Sequence, residues 1–182
     1  MIQNIKVREI QIKDIKSITQ YWSSLSADAF LEMGADIEKF PRRKQFSGML
    51  NKQINTPLHE KNSYALIWEY QGKQVGHCNV NQLVYGKHAH IHLHLWNGAN
   101  RKKGMGTALL KNSIPFFFEN LKLKNLWCEP YAKNPAPNNT LPKVEFKLIK
   151  KYETIPGPIN HIQEVCQYKM TKNRFKEYYF ID

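Results

Sequence analysis

Hydrophobic positions along the chain switch between a period of two and a period near 3.6, and each switch marks the end of an element. Residues 4–12 alternate polar and apolar as a half-buried strand does. Asp14 then stands where it can cap a helix carrying Ile15, Ile18, Tyr21, Trp22 and Leu25 at helical spacing. From Ala27 to Pro41 the pattern is irregular, which suits a lid, and a second helix is expected from near Pro41 through Phe46, Met49, Leu50 and Ile54. The β-rich runs 63–70 and 74–84, separated by Gln71, Gly72 and Lys73, predict a hairpin, and a third strand follows over 88–96. A polar loop from Asn97 to Gly106 leads into a helix bearing Ala108, Leu109, Leu110, Ile114 and Phe117. Beyond it, 124–131 reads as strand, 137–144 as a short helix, and 146–155 and 162–171 as two further strands. Strands, a crossover helix and strands again predict a mixed α/β sheet with at least one parallel connection.

Composition changes this picture little. At 182 residues, with 42% hydrophobic and 23% charged, the chain suits a single domain over residues 1–182, with no repeat or linker. The N-terminus lacks the apolar core of a signal peptide, and nowhere do about 18 apolar residues run together, so a cytoplasmic protein without membrane contact is expected. Cys78, Cys128 and Cys166 are odd in number and widely spaced, which argues against a disulfide framework or a thiolate zinc site. The formal charge of +12 is diffuse, with short clusters at Arg42-Arg43-Lys44, Arg101-Lys102-Lys103 and Lys147, Lys150 and Lys151. Such a spread reads as a solvated surface, and nucleic acid is not the expected partner.

One loop carries chemistry. Glycines at 104 and 106 let backbone N–H groups approach an anion, and the helix beginning there presents its positive dipole end to the same place. It is not a Walker loop, because no Gly-Lys-Ser/Thr ending follows, nor a dinucleotide fingerprint, because the third glycine is missing.

Arg101-x-x-Gly104-x-Gly106 between a strand and an amphipathic helix resembles the acetyl-CoA signature of the GNAT superfamily of N-acetyltransferases. The later stretch from Asn134 to Phe146 resembles that family's motif after the fifth strand, and the likeness runs from the first strand to residue 171. It is nearest to the branch containing ribosomal-protein N-terminal acetyltransferases. The resemblance implies a mostly antiparallel twisted sheet of about seven strands, with splayed central strands and helices on both faces. It implies acetyl-CoA as acyl donor, with pantetheine pairing against backbone of His94, Leu95 and Trp96. The pyrophosphate would meet N–H groups of Lys102, Lys103, Gly104, Met105, Gly106 and Thr107, with charge added by Arg101 or Lys102. Asn134 and Asn138 would complete the cofactor contacts. The sequence departs from the pattern at Glu145, where the family has glycine, at Pro142 inside the short helix, and at Leu141, where many relatives carry a tyrosine acid.

Acyl transfer to an amine needs a neutral amine, a polarised carbonyl and a stabilised thiolate. His88, His90, His92 and His94 share one face of their strand, and a reference pKa near 6.5 suits proton removal. By position His92, then His90, is the candidate base; a polar strand face is the competing reading. Alternating histidines can also bind metal, but no carboxylate partner is evident in the sequence, and no metal site is assigned. Tyr131 and Cys128 are the substitutes for the missing acid, each otherwise a packing residue. Acidic and apolar residues between Asp28 and Arg43, and the turn at Tyr85-Gly86-Lys87, are expected to meet the acceptor. The partners expected are thus acetyl-CoA and an amine, small molecule or protein, with a homodimer left open. The alternatives are a non-catalytic acyl-CoA sensor and a basic module that binds ribosomes or nucleic acid.

Overall fold

Wherever the sequence predicts period-two alternation, the computed structural model has a strand: β1 (Ile5–Glu9), β2 (Tyr64–Tyr70), β3 (Lys73–Val84), β4 (His88–Leu95), β5 (Asn125–Cys128), β6 (Lys147–Thr154) and β7 (Gln163–Thr171). It describes residues 4–96 and 104–179. Among these residues the strands form one seven-stranded sheet in the order β1-β2-β3-β4-β5-β7-β6. Neighbours run antiparallel except β4 and β5. The parallel pair exists because α4 (Met105–Asn120) crosses between those strands.

Each face of the sheet is covered. On one, Leu66, Trp68, Cys78, Val80, Ala89 and Ile91 pack against Leu109, Leu110, Ile114 and Phe117 of α4. On the other, Ile67 packs with Ile18 and Trp22 of α1 (Ile15–Ser24), Phe30 of α2 (Ala27–Glu32) and Leu50 of α3 (Arg43–Asn55). The segment read as irregular therefore holds a short helix, begun where Ser26 Oγ accepts from Ala29 N at 3.2 Å. It also holds a 3₁₀ turn, Ile37–Lys39, whose first residues are held by Asp36.

Two departures at the C-terminal end have physical causes. The short late helix divides into α5 (Pro135–Thr140) and a 3₁₀ turn, Leu141–Val144, because Pro142 offers no N–H to continue the α-helical ladder. Glu145 then takes a left-handed conformation (φ 73°), the place where glycine is usual. Arg174 holds it there, its Nε donating to the Glu145 carbonyl at 2.6 Å and its Nη2 to Oε2 at 2.7 Å. The second departure is that the chain continues from β7 into α6 (Lys172–Tyr179), which the sequence pattern does not predict. Tertiary packing forms it: Phe175 stacks on Phe118 of α4 at 4.5 Å.

Asp14 does not cap α1 with its side chain. Its carboxylate, fully buried, accepts from Arg8 Nη1 at 2.7 Å and Nη2 at 2.9 Å, from Gln11 N at 2.8 Å and from Gln74 Nε2 at 2.6 Å. Burial alone would raise its pKa, but the Arg8 and Gln11 hydrogen bonds win and hold it below its usual value. Asp14→Ala would strand the Arg8 guanidinium and the Gln11 N–H together, at a cost of about 3–5 kcal/mol. At roughly 2–4 °C per kcal/mol for a chain of this size, thermal unfolding should move down by about 10 °C. A shift under about 3 °C would show that the cluster is dispensable.

Candidate active site

β4 and β5 are paired only over His88–Asn125, Ala89–Leu126 and His90–Trp127. β4 then continues to Leu95 with β3 as its sole partner, so a gap opens where β5 ends. At its apex Cys128 Sγ donates to the Ile91 carbonyl at 3.3 Å. Burial pushes this thiol up to about 12, which makes it a donor and a spacer, not a nucleophile.

Backbone groups alternate between the two edges of a strand. Trp96 N donates to the Val75 carbonyl at 2.8 Å. The His94 carbonyl lies against Gly76, where a Cβ would come within 2.4 Å of it, so only glycine fits. Both groups face β3, and the alternation leaves the N–H and C=O of Leu93 and Leu95 facing the gap. Of His94, Leu95 and Trp96, Leu95 is therefore the one whose backbone is offered there.

Gly104 is the left-handed N-cap of α4 (φ 72°), and among the described residues nothing lies near the space a Cβ would fill at Gly104 or Gly106. The first helical bond runs from Ala108 N to the Gly104 carbonyl at 3.0 Å, so the N–H groups of Met105, Gly106 and Thr107 have no acceptor within the helix. Arg101, Lys102 and Lys103 lie outside the described residues. Asn134 is committed to capping α5, its Oδ1 accepting from Ala136 N at 3.2 Å. Asn138 donates to the carbonyls of Tyr131 at 3.0 Å and Asn134 at 2.7 Å, while its Oδ1 is buried without a partner. Leu141 is fully buried in the core, so the family's tyrosine position here supplies packing alone.

On the face opposite α4 the gap joins a cavity of about 490 Å³. Its floor comes from the period-two faces of β3 and β4, with His77 opposite His94, Asn79 opposite His92 and Asn81 opposite His90. Trp22, Phe40 and Phe46 form a wall, Trp22 stacked on Phe40 at 4.6 Å and edge-on to His94 at 4.7 Å. Tyr131 lines the cavity near the end of β5.

The histidine row does not act as one unit. His77 Nδ1 accepts from Trp96 Nε1–H at 2.7 Å and its ring stacks on His94 at 4.6 Å, so it is neutral; burial lowers its pKa to about 3. Burial also lowers His92 to about 4 and His94 well below the usual value. His92 Nε2 and His94 Nδ1 are sealed from solvent with no partner. His90 is lowered by burial, opposed by Glu129, whose Oε2 lies 3.8 Å from His90 Nδ1. Among the described residues no group of three or more His, Cys, Asp or Glu converges for a metal ion.

Glu129 is a candidate functional residue that the sequence reading missed. Its Oε1 accepts from Tyr152 OH at 2.7 Å and Gln167 Nε2 at 2.6 Å, which aims the carboxylate at the histidine face and the cavity. The signal was present: the same count of two that aligns the histidines puts Asn125, Trp127 and Glu129 on one face of their strand.

The sheet thus splits between two parallel strands, the helix that follows β4 begins with N–H groups that have no acceptor within it, and a polar cavity lies on the opposite face. The family model of the acetyltransferase (GNAT) domain matches residues 4–147, and the chain belongs to this family. That family is one of acetyltransferases, which makes the chain an acyltransferase. Among solved structures, the chain is similar to RimL, the ribosomal L7/L12 alpha-N-protein acetyltransferase in complex with coenzyme A. The two are 14% identical over 93% of this chain and 94% of that one, with a TM-score of 0.75. It is also similar to the spermidine N-acetyltransferase of Vibrio cholerae in complex with CoA and spermine, at 13% identity over 94% of this chain and 98% of that one, with a TM-score of 0.76. At such identities the likeness is one of fold. No curated protein sequence is a significant match to the chain. No described helix is long and apolar enough to cross a membrane.

Proposed function

We propose that the chain is an N-acetyltransferase that moves acetyl from acetyl-CoA to a primary amine by direct transfer. The observation that carries this reading is the β4–β5 gap opening onto the cavity that holds Glu129 and His92. Residues on this part of the chain suit such a donor: backbone of Leu93 and Leu95 turned away from β3, the Asn138 Oδ1 without a partner as an acceptor for an amide N–H, and the N–H groups of Met105 to Thr107, which have no acceptor within the helix, for phosphate oxygens. The bound donor supplies an activated thioester carbonyl.

The protein's own groups manage the protons. Glu129 attracts the acceptor's ammonium to the inner end of the cavity, and the proton leaves toward Glu129. His92, held neutral by burial and sensing both Glu129 and His90, offers Nε2 as the adjacent acceptor. Tyr131, on the cavity wall, is the candidate donor to the departing thiolate.

The test is release of free CoA thiol from acetyl-CoA across a panel of amines, with calorimetry for cofactor binding. Saturable acetyl-CoA binding and amine-dependent thiol release are expected. Salt-dependent RNA binding without affinity for acetyl-CoA would sink the assignment. His92→Ala should lower kcat by roughly tenfold to a hundredfold and alter the pH profile, with acetyl-CoA affinity unchanged. Equal kcat and pH profile in the variant would remove His92 from proton transfer.

A further inference from the structure

One side of the cavity is bordered by two segments tied to each other. Residues 33–40 and 156–163 both line it. Asp36 N donates to the Ile159 carbonyl at 2.7 Å, and Ala35 forms a bridge with Asn160. Asn160 Nδ2 and Gln163 Nε2 both donate to the Gly34 carbonyl at 2.8 Å. Lys39 Nζ donates to the Asn160 carbonyl at 2.9 Å. Gly34 makes this strap possible: it is left-handed (φ 73°), and a Cβ there would collide with the Gln163 amide at 2.0 Å. The cavity that the strap borders, about 490 Å³, is of small-molecule size.

The chemistry of the walls narrows the occupant. Among the described lining residues Glu129 is the only carboxylate, and Lys39 adds a positive charge at the strap. A polyamine brings further ammonium groups beyond the reacting one, and taking each out of water without its own anionic partner is costly. The remaining polar lining is neutral, made of amides, imidazoles, the hydroxyls of Ser63 and Tyr131 and the Cys128 thiol, and the remainder of the wall is apolar and aromatic. Six lining atoms are buried with no partner among the described residues: Trp22 Nε1, Gln53 Oε1, Asn81 Oδ1, His92 Nε2, His94 Nδ1 and Gln163 Oε1. Trp22 is 9% exposed, yet its Nε1–H has no partner. Of the others, Gln163 Oε1 lies against Gly34, its amide orientation set by donation of Nε2 to a carbonyl.

We propose that the acceptor is a small primary monoamine with an aromatic or branched apolar body bearing one hydroxyl or carbonyl oxygen, and not a polyamine or a protein N-terminus. The body lies against Trp22, Phe40 and Phe46, its oxygen accepts from Trp22 Nε1–H, and the amine reaches Glu129. This rests on the transfer reading for the identity of the reacting group, while the shape and charge of the cavity stand independently of it.

The experiment is calorimetric binding of tyramine, spermidine and the tripeptide Phe-Ser-Ala to the full chain, with acetyl transfer to each followed in parallel. Tyramine should bind at least tenfold more tightly than either competitor. Trp22→Phe, which keeps a ring and loses the N–H, should weaken tyramine binding about fivefold to twentyfold, by the usual worth of one buried hydrogen bond, with thermal stability little changed. Phe40→Leu provides a second variant that removes the stacked ring. Spermidine or the peptide binding as tightly as tyramine overturns the proposal, as does tyramine affinity indifferent to both variants. If tyramine binds as expected but receives no acetyl group, the transfer reading fails and the pocket assignment stands.

Discussion

Glu129→Gln should lower kcat for acyl transfer by about 10²–10⁴-fold, the usual contribution of a positioned proton acceptor. The substitution keeps the shape of the side chain, and the glutamine carbonyl can still accept from Tyr152 OH and Gln167 Nε2 at the positions that Oε1 now occupies. What it removes is the negative charge beside His90 and in the cavity. A merely structural Glu129 would tolerate glutamine with little loss, so the variant separates the two roles. Acetyl-CoA affinity should stay within about twofold by calorimetry, because the contacts proposed for the donor come from Leu93, Leu95, Asn138 and the start of α4. Tyr152→Phe removes one of the two hydrogen bonds that aim the carboxylate and should produce a smaller fall in kcat, roughly tenfold. Wild-type kcat in Glu129→Gln would remove this residue from the chemistry and return attention to the histidines alone.

That constellation also marks where sequence and structure part. The strands, α1, α3 and α4 were legible because their periodicities are local properties of the chain, and the Gly104–Gly106 loop was legible because strand, glycine and helix adjoin in sequence. The histidine face followed from the strand period. Glu129 needed the register of β5 against β4, and its supports Tyr152 and Gln167 come from strands whose positions depend on the β5-β7-β6 order. The strap is longer in range still: Gly34 meets Gln163 across most of the chain, and neither residue announces the other. α2 and α6 are short helices held by a cap and by ring packing, which propensity over a window does not resolve. The Glu145 turn was legible as an exception, but its remedy, Arg174, belongs to the helix that the pattern did not predict.

The same buried imidazoles should make the fold acid-labile. His77, His92 and His94 are held neutral in the native protein, His77 to about pH 3 and His92 to about pH 4, with burial as the main cause in each. In the unfolded chain each takes up a proton near pH 6.5. Between that value and the depressed native values the unfolded state binds more protons, so stability is fully present above about pH 6.5 and declines as the pH falls. Each group contributes up to about 1.4 kcal/mol per pH unit, and three acting together exhaust a stability of about 5–15 kcal/mol within a few units. The Asp14 cluster acts in a separate and lower window. Its carboxyl titrates below 3.8, so the salt bridge to Arg8 is intact while the histidines are being driven to protonate. Urea unfolding followed by tryptophan fluorescence at pH 7, 6 and 5 should give a steadily falling midpoint. His94→Phe keeps the ring that stacks on His77 and meets Trp22 but cannot take a proton, so it should flatten that dependence by about a third and shift acid unfolding to lower pH. A midpoint that is constant from pH 7 to 5 in the wild-type protein would mean that the three rings reach water when protonated, and that the cavity floor opens more readily than its packing implies.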